Sequence, residues 1–253
     1  MLAELTPGQW AVLAVAALTV GFAKTAISGA GAVTVVLFAW VLPARESTGV
    51  VLPVLIAGDL LAVSIYRRHA DWRMLWRLFP WVAVGTVLGA VFVAYADDEL
   101  MRISIGLTLL VLSAAQLLRR GAGDQPPDAA PPAPATGRRV LAAGAGVLAG
   151  IATMVANAAG AVTSLYFLLS GLPMLRFLGT GAWFYLIVNV FKVPFSVGLG
   201  LLTWDALLLD LTLVPAVVVG GVLGVVAIRR INQQLFERVT LALVVVAALL
   251  LLV

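Results

Sequence analysis

The sequence predicts an all-α, polytopic integral membrane protein built from two inverted-topology repeats, each with a broken or hairpin first segment. Three observations predict this fold. Hydrophobic residues make up 62% of the 253 residues, they form long runs, and motifs of the first half recur in order in the second. A soluble domain contains roughly 45–50% apolar residues. Backbone polar groups in lipid must be satisfied internally, which favours helices, and the period-two alternation of a barrel is absent.

Short polar or charged stretches separate the apolar runs into candidate membrane segments. A single helical crossing needs about 20 residues, so two of the runs are longer than one crossing requires. The predicted segments are 8–41, 48–66, 78–95, 100–118, 139–170, 174–200, 206–228 and 239–253.

A linker rich in proline, alanine and glycine divides the chain. Its composition does not favour a packed element, so we expect a flexible connection between two halves. The predicted organisation is an N-terminal transmembrane repeat at 1–120, a cytoplasmic linker at 121–137 and a C-terminal transmembrane repeat at 138–253.

The halves share several motifs. Gly21–Thr34 and Gly150–Thr163 both end in Ala-Gly-Ala-Val-Thr, and Pro80–Gly89 matches Pro215–Gly224 at seven of ten positions. Internal repeats of this kind are common in transporter folds.

The distribution of arginine predicts that the two halves have opposite orientations. The loop at 67–77 contains four arginines, which places it in the cytoplasm, whereas its counterpart around Trp204 contains only Asp205. Inversion requires an odd number of crossings in each half. We therefore expect 8–41 and 139–170 to turn back at their glycine-rich breaks, either as helical hairpins or as two short helices. Both termini are then expected in the periplasm.

The two breaks are the predicted substrate site. Interrupted helices expose backbone N–H groups and positive dipole ends, which favour anions. Alternatively, the glycines and alanines only allow close helix packing. The substrate-binding prediction comprises glycines that open the backbone, side chains that donate hydrogen bonds and lysines that supply charge: Gly29, Gly31, Gly160, Thr25, Ser28, Asn157, Asn189, Lys24 and Lys192.

Three charged residues fall inside apolar segments: Lys24, Asp59 and Lys192. A charge at the membrane centre costs roughly 2.5–3.5 kcal/mol on insertion scales, so each is expected to have a role or a partner. Asp59 is predicted either to accept a coupling proton or to form a structural ion pair with one of the lysines. Two lysines against one carboxylate leave a positive excess, which favours an anionic substrate.

Other classes of site lack their signatures. The chain has no cysteine, and it shows no metal-ligand spacing, phosphate-binding loop or nucleophile with a base. We expect neither cofactor nor metal, and no enzymatic activity. The net charge of +4 is explained by arginines that set topology, so nucleic acid is not an expected partner. The expected partners are a small anion and the lipid bilayer, and the sequence leaves open whether the chain forms a homo-oligomer.

The order of the motifs resembles the TauE/SafE family of sulfite and organosulfonate exporters. The resemblance rests on Gly21–Val35 followed by Leu42-Pro43, on Tyr66-Arg67-Arg68 before Asp71-Trp72, and on Pro80 with its repeat in the second half. It implies a protein of the bacterial inner membrane that transports sulfite, a sulfonate or a related oxyanion.

The expected mechanism is secondary transport by alternating access, in which one hairpin pair rocks against the remaining helices. Three alternatives stay open. A channel would show neither saturation nor counter-transport, a membrane-embedded enzyme would need a general acid or base facing a cavity, and an assembly subunit would tolerate loss of both lysines.

Overall fold

The computed structural model describes residues 5–26, 31–121, 135–228 and 230. Every regular element in these ranges is helical, which confirms the predicted all-α class. The helices are α1 (Pro7–Ala26), α2 (Gly31–Val41), α3 (Ala44–Tyr66), α4 (Trp72–Tyr95), α5 (Asp98–Gly121), α6 (Ala135–Ala156), α7 (Ala159–Leu169), α8 (Met174–Gly198) and α9 (Trp204–Ile228), with one 3-10 turn at Arg67–His69.

Five stretches of helix in the described ranges are long and apolar enough to cross a membrane. Four of them coincide with predicted segments in the middle of each half, and the fifth is α1. The predicted segment at 100–118 forms α5, whereas 239–253 lies outside the described residues. The five are Pro7–Ala26, Ala44–His69, Trp72–Tyr95, Leu175–Gly198 and Trp204–Ile228.

The first segment of each half is interrupted at its glycine-rich stretch, as predicted. In the second half α6 ends at Ala156 and α7 begins at Ala159. In the first half α1 and α2 flank residues 27–30, which are not described. The Thr34 hydroxyl of α2 donates a hydrogen bond to the Ala16 carbonyl of α1 (3.3 Å), so α2 folds back along α1.

Glycines bring two helix pairs into backbone contact, α1 with α9 and α4 with α6. A Cβ at Gly21 would lie 2.6 Å from the Gly221 amide nitrogen, and a Cβ at Gly150 would lie 2.6 Å from the Thr86 amide nitrogen. In the repeat, Gly21 corresponds to Gly150 and Gly221 to Thr86, so the two contacts are equivalent. Close packing thus accounts for these glycines, as small residues allow in lipid.

Helices α3 and α8 lie side by side in opposite directions. A Cβ at Gly179, near the start of α8, would lie 2.8 Å from the Tyr66 carbonyl oxygen at the end of α3. At the other end, a Cβ at Gly49 would lie 2.5 Å from the carbonyl oxygen of Leu201. Since α3 and α8 are corresponding helices of the repeat, this packing fits inverted halves. The inverted topology of the complete halves, like the division at 121–137, stays a prediction.

Candidate functional site

A buried ion pair joins α1 to α3. The Lys24 Nζ lies 2.6 Å from Asp59 Oδ1, and Asn189 Nδ2 of α8 donates to Asp59 Oδ2 at 2.6 Å. The Asp59 side chain is fully buried. Each carboxylate oxygen therefore faces a donor from a different helix, and of the two predicted ion-pair partners it is Lys24 that contacts Asp59.

A second polar chain joins α8 to the break between α6 and α7. The Lys192 Nζ donates to the Thr153 carbonyl oxygen at 2.6 Å and to Asn157 Oδ1. In turn, Asn157 Nδ2 donates to the carbonyl oxygen of Thr48 in α3 (3.1 Å). The ammonium, the break and α3 are thus connected through one asparagine.

The backbone of Asn157 explains why α6 ends where it does. Its φ is +48°, in the left-handed region that asparagine and glycine tolerate better than other residues. This conformation ends the helix and leaves the Thr153 carbonyl facing Lys192. Asn157 was predicted to donate a hydrogen bond to substrate. Here its side-chain oxygen accepts from Lys192 and one of its two amide N–H groups donates to Thr48, and its role toward substrate stays a prediction.

Tyr185 is a site residue that sequence reasoning missed. The Lys24 Nζ lies 4.6 Å from the centre of the Tyr185 ring, which is a cation–π distance. The Tyr185 hydroxyl is 2.7 Å from Thr163 Oγ1 in α7. The signal was present, because Tyr185, Asn189 and Lys192 are spaced i, i+4, i+7 and share one face of α8.

The two ammonium groups differ in access. The Lys24 side chain is 13% exposed, whereas Lys192 is only 1% exposed. Gly58 leaves room for the Lys24 stem, since a Cβ there would lie 3.0 Å from the Lys24 Cγ. Among the described residues, Lys24 contacts one carboxylate, that of Asp59, whereas the contacts of Lys192 are uncharged oxygens, so the two lysines carry a surplus positive charge.

A profile of the family described as sulfite exporter TauE/SafE matches residues 13–251. The chain belongs to the TauE/SafE family. It is therefore a multi-pass membrane protein of a transporter family, as its apolar helices also indicate. Comparisons with curated proteins and with solved structures found no match.

The other predicted site residues of this TauE/SafE protein lie at or near the breaks. Gly31 begins α2 and Gly160 lies at the start of α7. A Cβ at Gly31 would meet nothing within 4 Å, so helix packing does not require this glycine. Ser28 and Gly29 lie outside the described residues.

The Thr25 hydroxyl contacts α9. It is fully buried and donates to the Gly221 carbonyl oxygen at 2.9 Å. This hydrogen bond supports the contact of α1 with α9, so we leave Thr25 out of the proposed binding site.

Replacing Thr25 by valine, a residue of the same shape, is expected to lower stability by about 1 kcal/mol, because a buried interhelical hydrogen bond is lost. Anion affinity should stay unchanged. Thermal unfolding and ligand titration of the purified variant measure the two quantities. A loss of affinity with unchanged stability would return Thr25 to the substrate site.

Asp210 is a buried carboxylate that the sequence analysis passed over. Its side chain is 2% exposed, and neither oxygen has a hydrogen-bond partner among the described residues. Its neighbours Leu209 and Leu213 belong to an apolar cluster formed by α1, α2, α3 and α9. Residues of the described part offer no group of three or more His, Cys, Asp or Glu that could hold a metal.

Proposed function

We propose that this TauE/SafE protein is a secondary transporter that moves a small anion across the bacterial inner membrane by alternating access. The substrate class is sulfite, a sulfonate or a related oxyanion. The observation that carries the proposal is the Lys24–Asp59–Asn189 cluster. In this cluster a buried carboxylate contacts an ammonium and an amide donor, next to an interrupted helix.

The Asp59 carboxylate occupies the position proposed for the substrate oxyanion. Its two oxygens meet the Lys24 ammonium and the Asn189 amide, each at 2.6 Å. A sulfonate or sulfite group presents oxygens of the same kind, so it can replace the carboxylate on these donors. The proposal keeps Gly31, Gly160 and the undescribed Ser28 and Gly29 as backbone or hydroxyl contacts to the anion.

Proton coupling follows from this competition. When Asp59 is ionised it holds Lys24, and when Asp59 is protonated the ammonium is free for substrate. A proton and an anion therefore bind together, which lowers the charge that crosses the membrane. This proposal gives Asp59 both roles predicted from the sequence, in different steps of the cycle.

Alternating access would move helix pairs that contain parts of both halves. Helix α1 is in backbone contact with α9, and α6 is in backbone contact with α4. We propose that α1, α2 and α9 move as one unit and α4, α6 and α7 as another, with α3 and α8 between them. This differs from a hairpin pair moving alone against the other helices.

We expect Asp59→Asn to bind an alkanesulfonate more tightly than wild type at neutral pH, with an affinity that does not depend on pH. Wild-type affinity should rise as pH falls, because protonation of Asp59 frees Lys24. Titration calorimetry with a sulfonate, whose own charge is constant over this range, measures both. Equal pH profiles for variant and wild type would remove Asp59 from the coupling step.

Transport itself is tested by purified protein in liposomes loaded with sulfite, sulfoacetate, thiosulfate or a carboxylate. A secondary transporter should saturate and should exchange internal for external anion. Flux without saturation or exchange would favour a channel. Unchanged flux in a Lys24→Ala, Lys192→Ala double variant would contradict the proposed site.

A further inference from the structure

The Lys192 ammonium is buried against oxygens that carry no net charge. Its described partners are the Thr153 carbonyl oxygen, 2.6 Å away, and the side-chain oxygen of Asn157. The Asp59 carboxylate is instead occupied by Lys24 and Asn189. A buried ammonium usually has an anionic partner, because taking the charge out of water is costly.

The position of these oxygens explains how they hold a cation. Thr153 lies in the last turn of α6, where the aligned peptide dipoles amount to roughly half a negative charge. In transporters with broken helices, carbonyl oxygens at such C-terminal ends coordinate the coupling sodium ion or proton. The Lys192 nitrogen therefore lies where a monovalent cation is expected.

We propose that the break between α6 and α7 is a cation-binding site and that the Lys192 ammonium is its resident cation. While it is bound, it holds α8 against the end of α6. Through Asn157, whose amide donates to the Thr48 carbonyl oxygen, it also holds α3. The charged groups that act on it from the neighbouring helices are Lys24 of α1 and Asp59 of α3.

This inference assigns Lys192 a different role from Lys24. Lys24 is the more exposed ammonium and the proposed anion contact, whereas Lys192 supports the break and adds positive charge without touching substrate. The chain then needs no sodium ion at this break. The division of roles between Lys192 and Lys24 in transport rests on the proposed function. The cation site itself does not, because it can be tested without substrate.

The test removes the resident cation and supplies one from solution. Lys192→Ala should lower the melting temperature of the purified protein by roughly 10 °C, because the site oxygens lose their charged donor. Methylammonium chloride should raise it again. Sodium chloride at equal ionic strength is run beside it as a second small cation, and recovery of the melting temperature with methylammonium supports the site whether or not sodium also restores it.

Two controls separate occupancy from general salt effects. Tetramethylammonium has the charge but no N–H donor, so its chloride should not restore the melting temperature of Lys192→Ala. Lys192→Met fills the space with an uncharged chain of similar length, so methylammonium should not stabilise it. The proposal is overturned if Lys192→Ala folds but methylammonium does not raise its melting temperature, or if tetramethylammonium raises it equally.

A second measurement covers the case in which Lys192→Ala does not fold. The wild-type melting temperature should be the same in sodium chloride and in N-methylglucamine chloride, because its cation is covalently attached. A sodium-specific stabilisation of wild type would overturn the proposal. These stability measurements contain no substrate. A negative result in the liposome transport assay would therefore not contradict the cation site, and a negative result here would not contradict anion transport.

Discussion

Lys24→Met is expected to lower anion affinity about 100-fold, because a charge-assisted contact at a mostly buried site is lost. The same change leaves the Asp59 carboxylate buried beside Asn189 without its ammonium, so stability should fall by about 3–5 kcal/mol. Substrate titration and thermal unfolding measure the two effects separately. Methionine keeps the length and apolar stem of lysine, which confines the change to the charged end.

The double variant Lys24→Met, Asp59→Asn separates the functional role from the structural one. With both charges removed, Asn189 can still donate to the side-chain oxygen at position 59, and stability should return close to that of wild type. Anion transport should stay lost, because no ammonium remains at the contact position. Recovery of transport together with stability would show that the pair only holds α1 to α3.

Gly150→Ala is expected to destabilise the protein by about 3 kcal/mol, which is a large effect for one methyl group. A Cβ at this position would lie 2.6 Å from the Thr86 amide nitrogen and 2.8 Å from the carbonyl carbon of Gly85. These neighbours are backbone atoms of α4, so they cannot move aside by changing a rotamer. Helix α6 must shift away from α4 instead. The unfolding free energy of the purified variant measures the cost.

Gly144→Ala is the matched control, because it lies in the same helix and a Cβ there would meet nothing within 4 Å. Alanine has a higher helix propensity than glycine, by up to about 1 kcal/mol, so this variant should be as stable as wild type or slightly more stable. Equal unfolding free energies for Gly150→Ala and Gly144→Ala would contradict the backbone contact between α4 and α6.

The fold was largely predictable because its signals are local. Apolar runs located the helices, and the glycine-rich stretches located the interruptions at α1–α2 and α6–α7. The repeat motifs also coincide with the contacts of Gly21 and Gly150 with α9 and α4. The sequence could not show which of these glycines serve packing, because that depends on the helix lying opposite. Gly31 and Gly150 look alike in the sequence, yet only Gly150 is in contact with backbone.

The site was predictable in its charged residues but not in their partners. Lys24, Asp59 and Lys192 stand out because charge is rare in apolar segments. The choice of Lys24 as the partner of Asp59 depends on how α1, α3 and α8 are arranged, which no spacing along the chain reveals. Asp210 was overlooked although it too is a charge in an apolar segment. Tyr185 was overlooked because an aromatic residue is common in an apolar segment. Its significance depends on its position on the same face of α8 as Asn189 and Lys192.

The close contacts of α1 with α9 and of α4 with α6 mean that the halves are interlaced rather than joined end to end. Each tight interface takes one helix from either side of residues 122–134, so the covalent connection is not what keeps them together. Neither half contains both members of either interface. A fragment comprising one half alone would leave a glycine-lined groove open to lipid, and the natural occupant of that groove is the other half.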